Sequence, residues 1–248
     1  MTTTPDGSPK SLLLIGASRG LGLAIAEQYL KRGWHVVGTV RGGERTKLHD
    51  LRERWNGQLE IETVDITVPD EVVALRARLQ GRMLDFVLVS AGVKNDDRET
   101  IADVSTDEFV RVMVTNALSP LRAIETLHGL VRPGGTIAIM SSGQGSVNNN
   151  ERGGYEVYRA RKAALNTLMR SFAARHAGDN RTLLLLAPGW VRTDMGGPQG
   201  RLSIDKSIPS LVDTIEAQRG KPGLQYISTI AAEPCRGRTA WKKHGTIS

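Results

Sequence analysis

Only one cysteine, Cys235, occurs in 248 residues, so no disulfide can form within the chain. A single thiol suits a reducing compartment. Also missing is any apolar stretch long enough to span a bilayer. The segment Met1 to Lys10 is polar, carries Pro5, Gly7 and Pro9, and lacks the apolar centre of a secretion signal. It reads as the flexible N-terminus of a cytoplasmic protein with no membrane partner. Internal repeats and linker-like runs are absent too, which leaves one domain over residues 1–248. The net charge is +7, yet no basic run is interleaved with aromatic residues. Charges are spread along the chain apart from a modest cluster at Arg236, Arg238, Lys242 and Lys243. That distribution argues against nucleic acid, and for a basic surface with a site for a phosphate-bearing small molecule. No metal is expected.

Hydrophobic residues make up 40% of the chain, enough for a substantial core. They fall in short apolar runs that alternate with longer amphipathic stretches. Strands are expected at Leu12 to Ile15, Trp34 to Val40, Leu59 to Val64, Leu84 to Val89, Thr136 to Met140 and Thr182 to Ala187. A last one is expected from Leu224 to Ile230. Helical spacing links Leu21, Ile25 and Tyr29, and a polar helix is expected around Lys47 to Trp55. Pro69 opens a helix through Val72, Leu75 and Leu79. Phe109, Val112, Met113 and Leu121 share one helical face, and Leu165, Leu168, Met169 and Phe172 another. A further helix is expected over Ile208 to Gln218. Alternation of this kind predicts the α/β class: one doubly wound parallel sheet of about seven strands with helices on both faces.

Gly16-Ala17-Ser18-Arg19-Gly20-Leu21-Gly22 joins the first strand to the first helix. Glycines there let the chain turn tightly and approach a pyrophosphate, while the helix N-terminus offers unpaired N–H groups and a positive dipole end. The spacing is G-x-x-x-G-x-G, and position between strand and helix makes it a candidate dinucleotide site. The second strand ends Gly38-Thr39-Val40-Arg41, with no acid to hold a free adenosine ribose. Arg41 and Arg19 instead suit a 2′-phosphate, since guanidinium binds phosphate through paired donors. NADP(H) is therefore expected over NAD(H). Solvated arginines with no ligand are the bland alternative.

Tyr158 and Lys162 lie four residues apart near the start of a long helix, so both project from one face. A free tyrosine ionises at about pH 10, and a nearby ammonium stabilises its phenolate. The phenol can then give a proton to a carbonyl oxygen, or take one in reverse. Tyr155 competes for the role but sits seven residues from Lys162. Ser142 follows a strand, at the sheet edge where such folds bind ligands. Asn116 is in phase with the buried face of its helix, where an amide needs partners; it either holds a water or satisfies backbone groups.

The set Gly16-x-x-x-Gly20-x-Gly22, Asp65, Ser90-Ala91-Gly92, Asn116, Ser142-x-x-Gly145, Tyr158-x-x-x-Lys162 and Pro188-Gly189-Trp190-Val191-Arg192-Thr193-Asp194-Met195-Gly196-Gly197 runs in order along the chain. Together these resemble the short-chain dehydrogenase/reductase family, nearest its carbonyl-reductase-like and C-factor-like branch. The resemblance covers roughly Ser11 to Gly197. It implies a Rossmann-type domain that transfers hydride between a nicotinamide and a carbonyl or alcohol. It also implies roles: Tyr158 the acid/base and a cofactor contact, Lys162 its tuner and holder of the nicotinamide ribose, Ser142 the substrate's partner, Asn116 the anchor of a relay water. Ser18 and Leu21 would join the glycines at the cofactor, Asp65 and Ile66 would meet the adenine, and Ser90, Ala91 and Gly92 would line the adenosine side. Val191 and Thr193 would contact the carboxamide and phosphate end of the cofactor, and Pro188 and Gly189 would also bind the cofactor.

Some positions depart from the family pattern. Ile15 stands where a threonine is usual, and Val89-Ser90 replaces a pair of asparagines, so an altered hydrogen-bond network is expected there. Gly237-Arg238-Thr239-Ala240-Trp241 resembles a family ending, but extra residues precede it and a basic stretch follows, giving an atypical tail over 231–248. Asn148-Asn149-Asn150 and Gly153-Gly154 suggest a mobile pocket wall within 143–157, with a plain connection the alternative. A cofactor-binding regulatory protein with little turnover is the other functional reading; tight cofactor binding without carbonyl turnover would favour it. A nucleic-acid binder, suggested by net charge alone, would show steeply salt-dependent DNA binding. A homo-oligomer, dimer or tetramer, stays open.

Overall fold

The computed structural model describes residue 7 and residues 9–228. Strands and helices alternate: β1 (Ser11–Ile15), α1 (Gly20–Lys31), β2 (His35–Val40), α2 (Lys47–Arg54), β3 (Leu59–Thr63), α3 (Pro69–Arg78), β4 (Leu84–Val89) and α4 (Thr106–Met113). A π-helical turn, Val114–Leu118, leads straight into α5 (Ser119–Leu127). Then come β5 (Val131–Met140), α6 (Glu156–Arg175), β6 (Thr182–Ala187), α7 (Ile204–Gln218) and β7 (Gly223–Ser228). The seven strands form one sheet in the order β3-β2-β1-β4-β5-β6-β7, every pairing parallel. Successive crossovers run outward from β1 and then from β4, so a crevice opens beyond the carboxyl ends of that pair.

Strand residues alternate between two apolar layers because successive side chains point to opposite faces. Leu13 and Ile15 join Val72, Leu75, Ile124, Leu165, Met169 and Phe172 from α3, α5 and α6. Leu12 and Leu14 join Ile25, Tyr29, Leu48, Leu51, Leu211 and Ile215 from α1, α2 and α7. Covering both faces explains why β4 and β6 are buried along their whole length. Asp85 interrupts the apolar run of β4 at the sheet's amino edge. There it accepts from the Ser11 amide at 2.8 Å and faces Arg132 at 3.4 Å and Arg219 at 3.8 Å.

Several expectations are corrected. Leu168 is 38% exposed, because the buried face of α6 runs through Val157, Arg161, Leu165, Met169 and Phe172. The face expected to be continuous from Phe109 to Leu121 is broken by the π turn. β5 starts at Val131, and the Pro133-Gly134-Gly135 stretch is absorbed by a register shift against β4 between Leu84 and Phe86. Trp34 precedes β2 and packs as core. α7 begins four residues before Ile208, at Ile204, and holds Pro209 inside it, in the second turn. Within the N-terminal segment expected to be flexible, the Lys10 carbonyl already accepts from His35 N at 2.8 Å. Residues 229–230 of the expected last strand, and the tail with Cys235 and the basic cluster, lie outside the described residues. Among the described residues no helix is long and apolar enough to cross a membrane.

Candidate active site

The glycine turn is built by close approach. Gly16 has φ +87°, and a Cβ on it would lie 2.6 Å from the Ala91 nitrogen. A Cβ on Gly22 would lie 2.0 Å from the Gly16 carbonyl oxygen. Only hydrogens fit, so the turn wedges against the chain leaving β4. Gly16 N donates to Thr39 Oγ1 at 3.0 Å, and Ala17 N to the Thr39 carbonyl at 2.9 Å. The Ser90 amide donates to the Ile15 carbonyl at 2.8 Å. The hydroxyl that Ile15 cannot offer thus comes from Thr39 on β2. Ser18 and Leu21 are half-buried in the turn. α1 starts after Arg19 with no side-chain cap and no acid in its first turn, so its N–H groups and dipole are uncompensated. A bare helix N-terminus above a glycine cradle fits a diphosphate.

Arg41 and Asp65 are carried side by side by the outer strands, since Val64 N donates to the Val40 carbonyl at 3.0 Å. Arg41 is exposed, and its side chain makes no hydrogen bond or ion pair among the described residues. Arg19 is also exposed but lies 3.7 Å from Asp194 across the crevice. One Asp65 oxygen is already engaged, accepting from the Thr67 amide at 2.8 Å and its hydroxyl at 2.6 Å. Ile66 beside it is buried.

Asn116 sits in the π turn and is buried. Its Oδ1 accepts from Val93 N at 2.9 Å, and its Nδ2 donates to the Val112 carbonyl at 2.9 Å. Both ends of the amide therefore brace backbone. A Cβ on Gly92 would come within 2.6 Å of Asn116 Oδ1, which ties the Ala91-Gly92 exit to the same point.

Ser142 follows β5 and opens a short 3-10 turn, Gly143–Gly145. Its Oγ accepts from Gln144 N at 3.2 Å, which leaves the hydroxyl hydrogen for another acceptor. A Cβ on Gly145 would lie 2.9 Å from the Lys162 carbonyl, so this turn packs directly on α6. From α6, Lys162 Nζ donates to the Met140 carbonyl at 2.8 Å, two residues before Ser142. Tyr158 lies one helical turn earlier. Tyr155, in left-handed conformation just before the helix, is exposed. The Lys162 ammonium is lowered to about 7, by its removal from water first and the positive charge of Arg161 second.

Beyond β6 the chain folds on itself. The Pro188 carbonyl accepts from Ser207 Oγ at 3.0 Å, and Gly189 has φ +84°. Val191 is buried and bridges to Leu202. Thr193 Oγ1 accepts from Gly196 N at 2.9 Å, and a Cβ on Gly20 would lie 4.0 Å from Thr193. The segment therefore closes over the glycine turn. Glycine turn, Ala91, Gly92, Asn116, Ser142, Lys162 and Thr193 all meet at the carboxyl edge of the sheet.

A family profile described as Enoyl-(Acyl carrier protein) reductase matches residues 16–218. A short-chain dehydrogenase/reductase from Burkholderia multivorans, solved with bound NADP, is 56% identical; the match covers 93% of this chain and 98% of that one, with TM-score 0.88. The chain belongs to the short-chain dehydrogenase/reductase family. It is thus an NAD(P)-dependent oxidoreductase. A carbonyl reductase from Pseudomonas aeruginosa PAO1 in complex with NADP is 34% identical, covering 90% of this chain and 97% of that one, with TM-score 0.83. The 1-hydroxy-2-glutathionyl-2-methyl-3-butene dehydrogenase of Rhodococcus sp. (strain AD45) is 34% identical over 83% of this chain and 90% of its own.

Four groups around the site of this short-chain dehydrogenase/reductase were not foreseen. Thr39 carries no motif. Asn166 accepts from Ser141 Oγ at 2.5 Å and donates to the Gly145 carbonyl at 3.4 Å, so it holds the Ser142 turn against α6. Its spacing of eight from Tyr158 and four from Lys162 was the available signal. The Tyr226 hydroxyl lies 3.7 Å from where a Gly143 Cβ would sit, and burial, then the neighbouring Tyr158, raises that phenol to about 12. Arg161 packs under Tyr158.

The Lys162 shift has a consequence for stability. Its folded value lies below that of an unfolded lysine, so between pH 7 and about pH 10 the unfolded chain binds the extra proton. Its unfavourable contribution is complete below that window and fades as pH rises through it. Thermal melts of the wild type and Lys162→Met should therefore shift relative to one another, in favour of the wild type, from pH 7 upward. A pH-independent difference would show that Lys162 is not held out of water.

Proposed function

We propose that the chain is an NADPH-dependent carbonyl reductase with Tyr158 as proton donor. When bound, the reduced nicotinamide supplies a hydride to the carbonyl carbon. Tyr158 Oη gives its proton to the carbonyl oxygen, so the product is the alcohol. Ser142 uses its remaining hydrogen to hold that oxygen, and Lys162 stabilises the phenolate left on Tyr158. Lys162 reaches the nicotinamide ribose by exchanging its bond to Met140, and Asn116 shapes the π turn from which a relay water is held. Gly16, Ser18, Gly20, Leu21 and Gly22 take the diphosphate; Asp65, Ile66, Ser90, Ala91 and Gly92 take the adenosine side. Pro188, Gly189, Val191 and Thr193 take the nicotinamide end. The observation that carries the reading is the bond from Lys162 Nζ to the Met140 carbonyl, which joins the Tyr158 helix to the strand end bearing Ser142.

Arg41 and Arg19 take the 2′-phosphate, Arg19 by leaving Asp194. In support, the Burkholderia and Pseudomonas structures hold NADP, and the strand end before Arg41 lacks an acid. Arg41→Ala should raise the KM for NADPH about tenfold, through loss of a charge-assisted bond, and leave that for NADH unchanged. Equal effects on both cofactors would remove Arg41 from the phosphate site. The general test is cofactor oxidation against a panel of ketones, aldehydes and quinones, with NADPH and NADH in parallel. Reduction with a strong NADPH advantage is expected; binding without turnover on any carbonyl would contradict the proposal.

A further inference from the structure

Arg161 is 1% exposed and among the largest fully buried side chains. A buried charge is costly unless something compensates it. Among the described residues Arg161 has no carboxylate within ion-pair distance, and its Nε is buried without a hydrogen-bond partner. Its guanidinium carbon lies 4.5 Å from the centroid of the Tyr158 ring. Its Nη1 donates to the Val93 carbonyl, while the Val93 amide donates to Asn116 Oδ1 at 2.9 Å. The backbone of one residue, Val93, thus ties Arg161 to Asn116. A neutral amide could anchor that carbonyl equally well; the charge needs another reason, and the ring under it supplies one, because a guanidinium is attracted to an aromatic face and more strongly to a phenolate.

We infer that Arg161 is a positioning residue for Tyr158: it fixes the phenol ring against the Val93–Asn116 segment and adds a second buried positive charge to that of Lys162. This rests on the reading of Tyr158 as proton donor. Other charges face the pair from every side. On α6 there is Lys162. From the segment after β4 comes Asp97, itself 3.8 Å from Lys94, and its negative charge partly offsets Arg161. From α4 comes Arg111, which adds to Arg161 although it is paired with Glu108. From β7, the Tyr226 phenol faces Tyr158.

The test is the ionisation of Tyr158 in the full chain, read as the ultraviolet tyrosinate signal of each variant minus that of its Tyr158→Phe counterpart. The pH dependence of alcohol oxidation is measured alongside. Arg161→Met should move both midpoints up by about one pH unit. It should lower kcat about tenfold with the KM for NADP unchanged. Arg161→Lys keeps the charge and should hold the midpoints near the wild type. Asp97→Asn removes the opposing charge and should move them down. A folded Arg161→Met with wild-type midpoints overturns the inference, since a bracing role alone would cost rate without moving either curve. If Arg161→Met does not fold, unmoved midpoints in Asp97→Asn overturn it. Full turnover in Tyr158→Phe would instead overturn the reading of Tyr158, while the spectral midpoints still report on Arg161.

Discussion

Replacing Tyr158 by phenylalanine is expected to lower turnover by about 10²–10⁴-fold, the range that a positioned proton donor contributes. The change deletes one oxygen and keeps the ring, so the contact with Arg161 and the packing of α6 remain. Cofactor affinity should change little, because the proposed diphosphate cradle, the glycine turn and α1, lies on the other side of β4. The expected signature is therefore a loss in kcat with NADPH binding, followed by fluorescence, retained. The Tyr226 hydroxyl also lies close to the Ser142 turn, 3.7 Å from where a Gly143 Cβ would sit. Its raised ionisation makes it a poorer proton donor than an ordinary phenol, so it should not rescue the variant. Wild-type turnover in Tyr158→Phe would remove the proton donor from the mechanism.

Gly22→Ala separates local propensity from packing. Alanine in a helix is favoured over glycine by about 1 kcal/mol, so on propensity alone this change in α1 would stabilise the protein. The added Cβ, however, would lie 2.0 Å from the Gly16 oxygen and 3.2 Å from the Ala17 Cα, both backbone. Relief requires moving the turn, and overpacking of this kind costs about 1–3 kcal/mol. The turn cannot yield freely, since Gly16 is wedged against Ala91 and tied to Thr39. The expected outcome is a lower melting temperature together with a Kd for NADPH weakened about tenfold or more, as pre-arranged donors leave their positions. A stabilised variant with unchanged affinity would show that the close approach is not required.

The strands were legible because a parallel sheet covered on both faces needs apolar runs, and those runs stand out between amphipathic helices. Gly16 and Gly22 were legible for the same kind of reason, since only glycine survives such approaches, and Gly20 because its φ of +56° favours glycine. What stayed hidden depended on neighbours remote in sequence. Thr39 braces the turn across a strand pairing, and nothing in its own segment says so. The π turn at Asn116 inserts an extra residue into a helix whose periodicity otherwise runs on. Leu168 looked like core because three apolar neighbours shared its stretch, yet α6 follows the spacing of four that puts Arg161 inside. A buried arginine runs against composition rules, and only the Tyr158 ring and the Val93 carbonyl make sense of it.

The most direct measurement uses NADPH carrying deuterium on the transferable face of its reduced ring, with the product alcohol examined by mass spectrometry. Direct hydride transfer predicts one deuterium on the carbinol carbon of a reduced ketone, with the hydroxyl hydrogen drawn from solvent by way of Tyr158. A product alcohol without deuterium on that carbon, or NADPH bound but never oxidised across the carbonyl panel, would contradict the account.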